Sequence, residues 1–115
     1  MSAFLFYNMD SLEIIKKAIK LQKPIRFEYN RENKPFGKRF GDPHIIFYHS
    51  DTNNLIVHIF QTDGVSDHLE EIPAWRHFLI EFIENVDILH NQEKFDIAEG
   101  YDPNSPTYKE IVAKV

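Results

Sequence analysis

His44-Ile45-Ile46-Phe47-Tyr48-His49, a polar run Ser50-Asp51-Thr52-Asn53-Asn54, then Leu55-Ile56-Val57-His58-Ile59-Phe60-Gln61 decide the fold class of this chain. Two β-branched and aromatic runs flank a short cluster of turn formers. That pattern predicts an antiparallel hairpin. Upstream, Ile25-Arg26-Phe27-Glu28-Tyr29 alternates apolar and polar with period two, as a half-buried strand does. Gly41-Asp42-Pro43 reads as a turn leading into the hairpin, after a short strand through Lys38-Arg39-Phe40. Downstream, Trp75 to Phe82 reads as a strand, and Val86 to Leu89 as its continuation or a short final strand. Thr62 to Ala74 is a polar loop of functional length.

Helices are expected at the two ends. Asp10-Ser11-Leu12-Glu13 has the form of a capping box. Leu12, Ile15 and Ile19 continue a helical stripe to about Gln22, with Lys16, Lys17 and Lys20 on the other side. Lys23-Pro24 stops that helix, because a residue before proline avoids the helical region. Ser105-Pro106 predicts a short last helix over Thr107 to Lys114, with Tyr108, Ile111, Val112 and Val115 as its apolar side. The expected fold is therefore mainly β, of the α+β class: an N-terminal helix over 10–22, a small five-stranded barrel over 24–90, and an extension over 91–115 with a short helix. At 115 residues, one domain over 1–115 is expected.

Composition excludes several chemistries. The chain has no cysteine, so it has no disulfide, thiolate metal site or cysteine nucleophile. No basic leader precedes the apolar start, and no stretch approaches the ~20 apolar residues of a membrane span. The expectation is a soluble, cytoplasmic protein. None of the six histidines, His44, His49, His58, His68, His77 and His90, forms an i, i+4 pair, so no metal site is expected. Gly64-Val65-Ser66 lacks the context of a nucleophile elbow, and Glu70-Glu71 reads as a solvated loop pair. No phosphate-cradling glycine loop is present. We expect no enzymatic activity and no cofactor.

The formal net charge of -5 argues against indiscriminate nucleic-acid binding. Its distribution is uneven. Lys16, Lys17, Lys20, Lys23, Arg26, Arg31, Lys34, Lys38 and Arg39 crowd one segment, while the rest of the chain is acidic. This is either a basic face for phosphate or the solvated side of a helix and loop. Arg39, His44, Gln61, Ser66 and Arg76 lie at or beside predicted strand ends, where a barrel presents side chains to a ligand. Arginine offers a planar fork for phosphate, and glutamine a donor with an acceptor. Trp75, Tyr29 and Phe78 either stack a base or pack the core. The competing reading pairs Arg39 and Arg76 with Asp42 or Glu71, and uses Gln61 only to tie down the loop.

These residues, in this order, resemble the WYL domain in its short stand-alone bacterial form. The resemblance rests on Ala18-Ile19, on Ile25 to Tyr29 and on Arg39 before Pro43-His44. It continues through Gln61 with Gly64 and Ser66, Trp75-Arg76-His77-Phe78, and the tail from Phe95 to Tyr101-Asp102-Pro103. It covers nearly all of the chain from Ser11 onward. It implies an Sm-like, SH3-type barrel that senses ligands, often nucleic acid or nucleotide derived, in bacterial transcription regulation. Arg39 and Arg76 then match basic positions of the family's ligand face, and His44 a polar position beside it. The naming Trp-Tyr-Leu triplet is replaced by Leu55-Ile56-Val57, and Glu81-Phe82 stands where Asp-Arg often precedes the last Ile, here Ile83. At this length no helix-turn-helix domain is expected beside the barrel. The functional expectation is a non-enzymatic ligand-sensing or nucleic-acid-associated module. It would bind a phosphate-bearing ligand, an oligonucleotide or nucleotide, through Arg39, His44, Gln61, Ser66, Trp75 and Arg76. The alternative is a protein-interaction or assembly module that forms homo-oligomers through its edge strands.

Overall fold

The computed structural model describes residues 3–67 and 71–115, with side chains from Asp10 onward. His68 and Glu70 lie outside the described residues. Among the described residues one α-helix, α1 (Ala3–Leu21), precedes six strands: β1 (Ile25–Tyr29), β2 (Lys38–Tyr48), β3 (Leu55–Gly64), β4 (Ala74–Leu79), β5 (Ile83–Ile88) and β6 (Glu110–Lys114). The strands form one antiparallel sheet in the order β4-β3-β2-β1-β5, and β6 pairs with β2 off that path. The α+β class and the mainly β character hold.

Helix α1 begins earlier than the capping-box reading placed it, so Asp10 to Glu13 lie inside it. Ser11 does not cap. Its hydroxyl is buried and donates to the Ile83 carbonyl at 2.8 Å, tying the helix to β5. The helix ends where Lys23-Pro24 predicts. Gln22 takes a left-handed φ of 56°, Gln22 N–H donates to the Ile19 carbonyl, and Lys23 N–H reaches back to Ala18. This closure satisfies carbonyls that the helix end would otherwise orphan.

The predicted hairpin is present as β2 and β3, closed by bonds between His49 and Asn54 and between Asn53 and His49. The expected turn at Gly41-Asp42-Pro43 is instead part of β2. The pairing of β2 with β3 slips between Phe40 and Gly41, and again between Pro43 and Ile45. Two bulges bend the hairpin without ending it: the first leaves Thr62 of β3, and the second His44 of β2, with no residue opposite. Further on, a 3-10 turn over Ile80–Phe82 divides the expected Trp75–Phe82 strand and starts β5 at Ile83.

The predicted last helix is a correction. Glu110–Lys114 is a strand, with Ile45 opposite Lys114 and Tyr48 opposite Glu110. The β-branched pair Ile111-Val112 suits an extended strand. The second half of β2, which β1 does not cover, supplies hydrogen-bond partners that an isolated five-residue segment lacks.

Both faces of the sheet are covered. On the first, Ile15, Ala18 and Ile19 of α1 pack with Phe27, Ile46, Val57, Ile59, Phe78 and Ile83. On the second, Ile45, Phe47 and Ile56 pack under Tyr101 and Tyr108 from the C-terminal segment. That double burial explains the unbroken apolar run in the middle of β2. Among the described residues no helix is long and apolar enough to cross a membrane.

Candidate functional site

Successive strand residues point to opposite faces, so register sorts the expected site residues into two groups. Arg76 lies opposite Ile59 and shares the first face with Val57 and Phe78. Trp75, its neighbour, lies opposite Phe60 and points to the second.

Arg39, Gln61, Ser66 and Arg76 come together at one end of the first face. Arg39 lies between Phe27 of β1 and Gly64 of β3 and is only 3% exposed. Gly64 permits that close pairing. Its φ is +96°, and a Cβ there would meet the Lys38 carbonyl oxygen at 2.2 Å. The Arg39 guanidinium sits 5.8 Å from the Tyr29 ring centroid and 5.3 Å from that of Phe78. Its Nη1 donates to Gln61 Oε1 at 3.3 Å and its Nη2 to the Pro35 carbonyl at 3.1 Å. Its Nε is buried with no hydrogen-bond partner. Burial works against the guanidinium charge, and Arg76 adds to that penalty, while Asp67 and Tyr29 offset part of it.

Gln61 is fully buried and wholly engaged. Besides accepting from Arg39, its Nε2 donates to the carbonyls of Asp63 at 3.1 Å and Val65 at 2.8 Å. It fixes the Arg39 fork and the start of the β3–β4 loop, which matches the tie-down role read as an alternative. Ser66 accepts from Arg76 Nη2 at 3.2 Å, and Glu71 lies 3.7 Å from the same nitrogen.

Arg39 and Arg76 line a cavity of about 120 Å³, with Tyr29 and Phe78 also in its wall. The loops contribute Arg31, Lys34 and Asp67. Four cations therefore surround the space, against the carboxylate of Asp67 in the lining and that of Glu71 on Arg76. Such a site attracts a small anion. The basic run in the sequence accordingly divides. Lys17 and Lys20 are exposed on α1, Lys16 pairs with Glu13 at 3.5 Å, and Arg26 pairs with Asp87. Only Arg31, Lys34 and Arg39 reach the cavity. Asp67 was not foreseen, since a lone acid in a polar loop carries no local signal.

His44 and Trp75 belong elsewhere. His44 is fully buried. Its Nδ1–H donates to the Asp42 carbonyl at 2.8 Å, and its Nε2 accepts from Ala98 N–H at 3.0 Å. That arrangement requires the neutral ring, and burial pushes its pKa down. Trp75 donates from Nε1 to the Glu99 carbonyl at 2.9 Å and lies 4.7 Å from the His44 ring, centroid to centroid. Nearby, His58 meets the Tyr108 hydroxyl, and burial, with His77 and His44 beside it, pushes its pKa down to about 3. These rings fasten the C-terminal segment to the sheet.

A larger groove of about 790 Å³ runs between β2, β3 and the segment after β5. Asp42, Asp63 and Glu93 line it and no basic side chain does, so it repels phosphate. Burial and Asp96 push the Asp42 carboxyl up to about 6. Among the described residues, no three His, Asp or Glu side chains are grouped to hold a metal ion.

No protein-family model matches the chain, and no curated protein matches its sequence. The fold is similar to part of a solved structure, the Proteasome accessory factor B/C (PafBC) of Arthrobacter aurescens. The TM-score is 0.59 at 13% sequence identity, and the match covers 81% of this chain and 13% of that one. The chain thus spans a small part of that protein's length, and the likeness is one of fold.

Proposed function

We propose that this chain is a WYL-like ligand-binding regulatory module that seats a phosphate-bearing ligand, a nucleotide or an oligonucleotide, in the cavity of Arg39 and Arg76. It performs no chemistry on that ligand. One observation carries the reading: an arginine only 3% exposed, with a buried, unpartnered Nε, at a cavity ringed by four cations. A buried cation that is incompletely compensated gains from an anion that enters beside it. The resemblance to WYL domains in the order of Arg39, Gln61, Ser66 and Arg76 supports it, as does the likeness of fold. In this reading Arg39 and Arg76 grip the phosphate, Gln61 and Ser66 hold their forks in place, and Arg31 and Lys34 draw the ligand in.

The test is fluorescence anisotropy of short, 5′-phosphorylated single-stranded oligonucleotides, titrated through salt with the wild type and with Arg76→Gln. Saturable binding whose log affinity falls linearly with log salt, weakened in the variant, is the expected result. Absence of binding at low salt would overturn the proposal. A dimer or ring by light scattering, with no anion affinity, would instead favour assembly through the sheet edges.

A further inference from the structure

Phe36 is 56% exposed, and every other aromatic among the described side chains is buried or half-buried. A lone exposed ring is ordinary; its position is what counts here. The carbonyl of Pro35, joined to Phe36 by one peptide bond, accepts from Arg39 Nη2 at 3.1 Å. Standard peptide dimensions then put the Phe36 Cα within about 6 Å of that nitrogen. On the other side, Gly37 packs so closely on Val65 that a Cβ there would meet Val65 Cγ1 at 3.0 Å. Val65 N–H in turn donates to the Lys38 carbonyl at 3.0 Å. The backbone is therefore held on both sides of Phe36, while its side chain stays in solvent. It sits beside the Arg39 and Arg76 cavity, just outside the lining.

We infer that Phe36 stacks the nucleobase of a ligand whose phosphate occupies the cavity, so that the site recognises a nucleotide unit over a bare sugar phosphate. This rests on the proposed phosphate pocket and names the group that the phosphate carries. Volume divides the ligand. About 120 Å³ accommodates one oxyanion group, whereas whole-ligand pockets typically run to several hundred Å³. The sugar and base of a nucleotide therefore stay outside, and the base hangs one ribose away from its phosphate, within reach of residues beside the cavity. Phe36 offers a π-face there, and base–aromatic stacking tolerates every base because each has a π-face of its own. The neighbouring rings are already committed. Tyr29 and Phe78 are buried against the Arg39 guanidinium, Phe82 lies under Arg31, and Trp75 points to the opposite face of the sheet. Covering a ring that already stands in water also gains from the hydrophobic effect.

The experiment is calorimetric titration at pH 8 and fixed ionic strength. Adenosine 5′-monophosphate and ribose 5-phosphate, which carry the same phosphate charge, are titrated into the wild type, Phe36→Ala and Phe36→Leu, with folding checked by circular dichroism. Wild type should bind the nucleotide at least about fivefold more tightly than the sugar phosphate. Both variants should lose most of that preference through the nucleotide alone, with ribose 5-phosphate affinity unchanged. Phe36→Trp should keep the preference, and its added fluorescence should be quenched by the nucleotide and not by the sugar phosphate, against the constant signal of Trp75, the chain's own tryptophan. A 5′-phosphorylated dinucleotide separates the two sources of such a unit. Binding tighter than that of the mononucleotide assigns a strand end and equal binding a free nucleotide, and in either case Phe36→Ala must weaken it. A preference that survives in both variants overturns the inference while leaving the pocket intact. So does equal binding of both probes by the wild type, or an equal loss of both in the variants. If no probe binds any of these proteins, the pocket reading falls and this inference falls with it.

Discussion

The two faces of the sheet use the same kinds of residue for opposite ends. On the second face, His44 spends both ring nitrogens on backbone groups, and Trp75 spends its only donor on Glu99. On the first face, Arg39 leaves one buried nitrogen without a partner, beside a cavity ringed by cations. A polar side chain near a strand end becomes a candidate ligand contact only when its own fold has not already used it. The contrast also separates stability from binding. The second face should govern how firmly the C-terminal segment is held, and the first what the protein recognises.

The sharpest way to break that separation is His44→Ala. It removes a fully buried ring and strands the N–H of Ala98, so unfolding in urea should show a loss of about 3 kcal/mol. Anion affinity measured on the folded variant should stay within about twofold, because none of the hydrogen-bond or ring partners of His44 lines the cavity. A large affinity loss would merge the two faces into one site.

Acid should act on the second face. His58 is held down to about 3 and His44 is also lowered, both chiefly by burial, from an ordinary value of 6.5. Below about 6.5 the unfolded chain takes up protons that the folded chain refuses, so stability falls as pH drops toward 3. Each such proton is worth about 1.4 kcal/mol per pH unit. Asp42 works the other way. Its carboxyl, raised from 3.8 to about 6, lets the folded chain bind a proton first, which favours the fold as pH falls through that range. Asp42→Asn should therefore steepen the acid loss below about 6. Urea midpoints at pH 7, 6 and 5 decide this, and a flat profile in both proteins would refute it.

On the first face, Arg76→Gln should cost about 1–3 kcal/mol of phosphate affinity. Arg76 is half-buried, so thermal melting should move little. A variant that melts early while keeping its affinity would reverse the assignment. The smallest effect belongs to Lys34→Gln, which removes an exposed ion pair and should change stability by less than about 1 kcal/mol. A larger change in urea would mean that the loop pairing helps hold the fold.

Much of the fold was legible in the sequence where the signal is local. β1 spans the alternating run Ile25–Tyr29, and the β2–β3 hairpin closes at the predicted polar cluster. The C-terminal strand was not legible. Tyr108, Ile111, Val112 and Val115 fit a helical stripe as well as an extended one, and the open edge of β2 that decides between them is distant in sequence. The site was half legible. Arg39, Gln61, Ser66 and Arg76 do converge, but the period-two rule already places Trp75 and Arg76 on opposite faces. The bulge that leaves His44 unpaired has no sequence signature here. Arg31, Lys34 and Asp67 come from loops, where spacing along the chain says little about proximity in space.

Strand β2 serves three partners: β3 along nearly its whole length, β1 beside its first half and β6 beside its second. The first two pairings join neighbours in the chain, while the third waits for a segment more than half the molecule away. Loop-closure entropy must be met before that last pairing returns anything, so the order of assembly follows from the topology. This topology predicts that the β1–β2–β3 meander forms early and that β6 docks after the rate-limiting step. Substitutions in β6 should then leave the folding rate nearly unchanged and act almost entirely on how fast the protein unfolds.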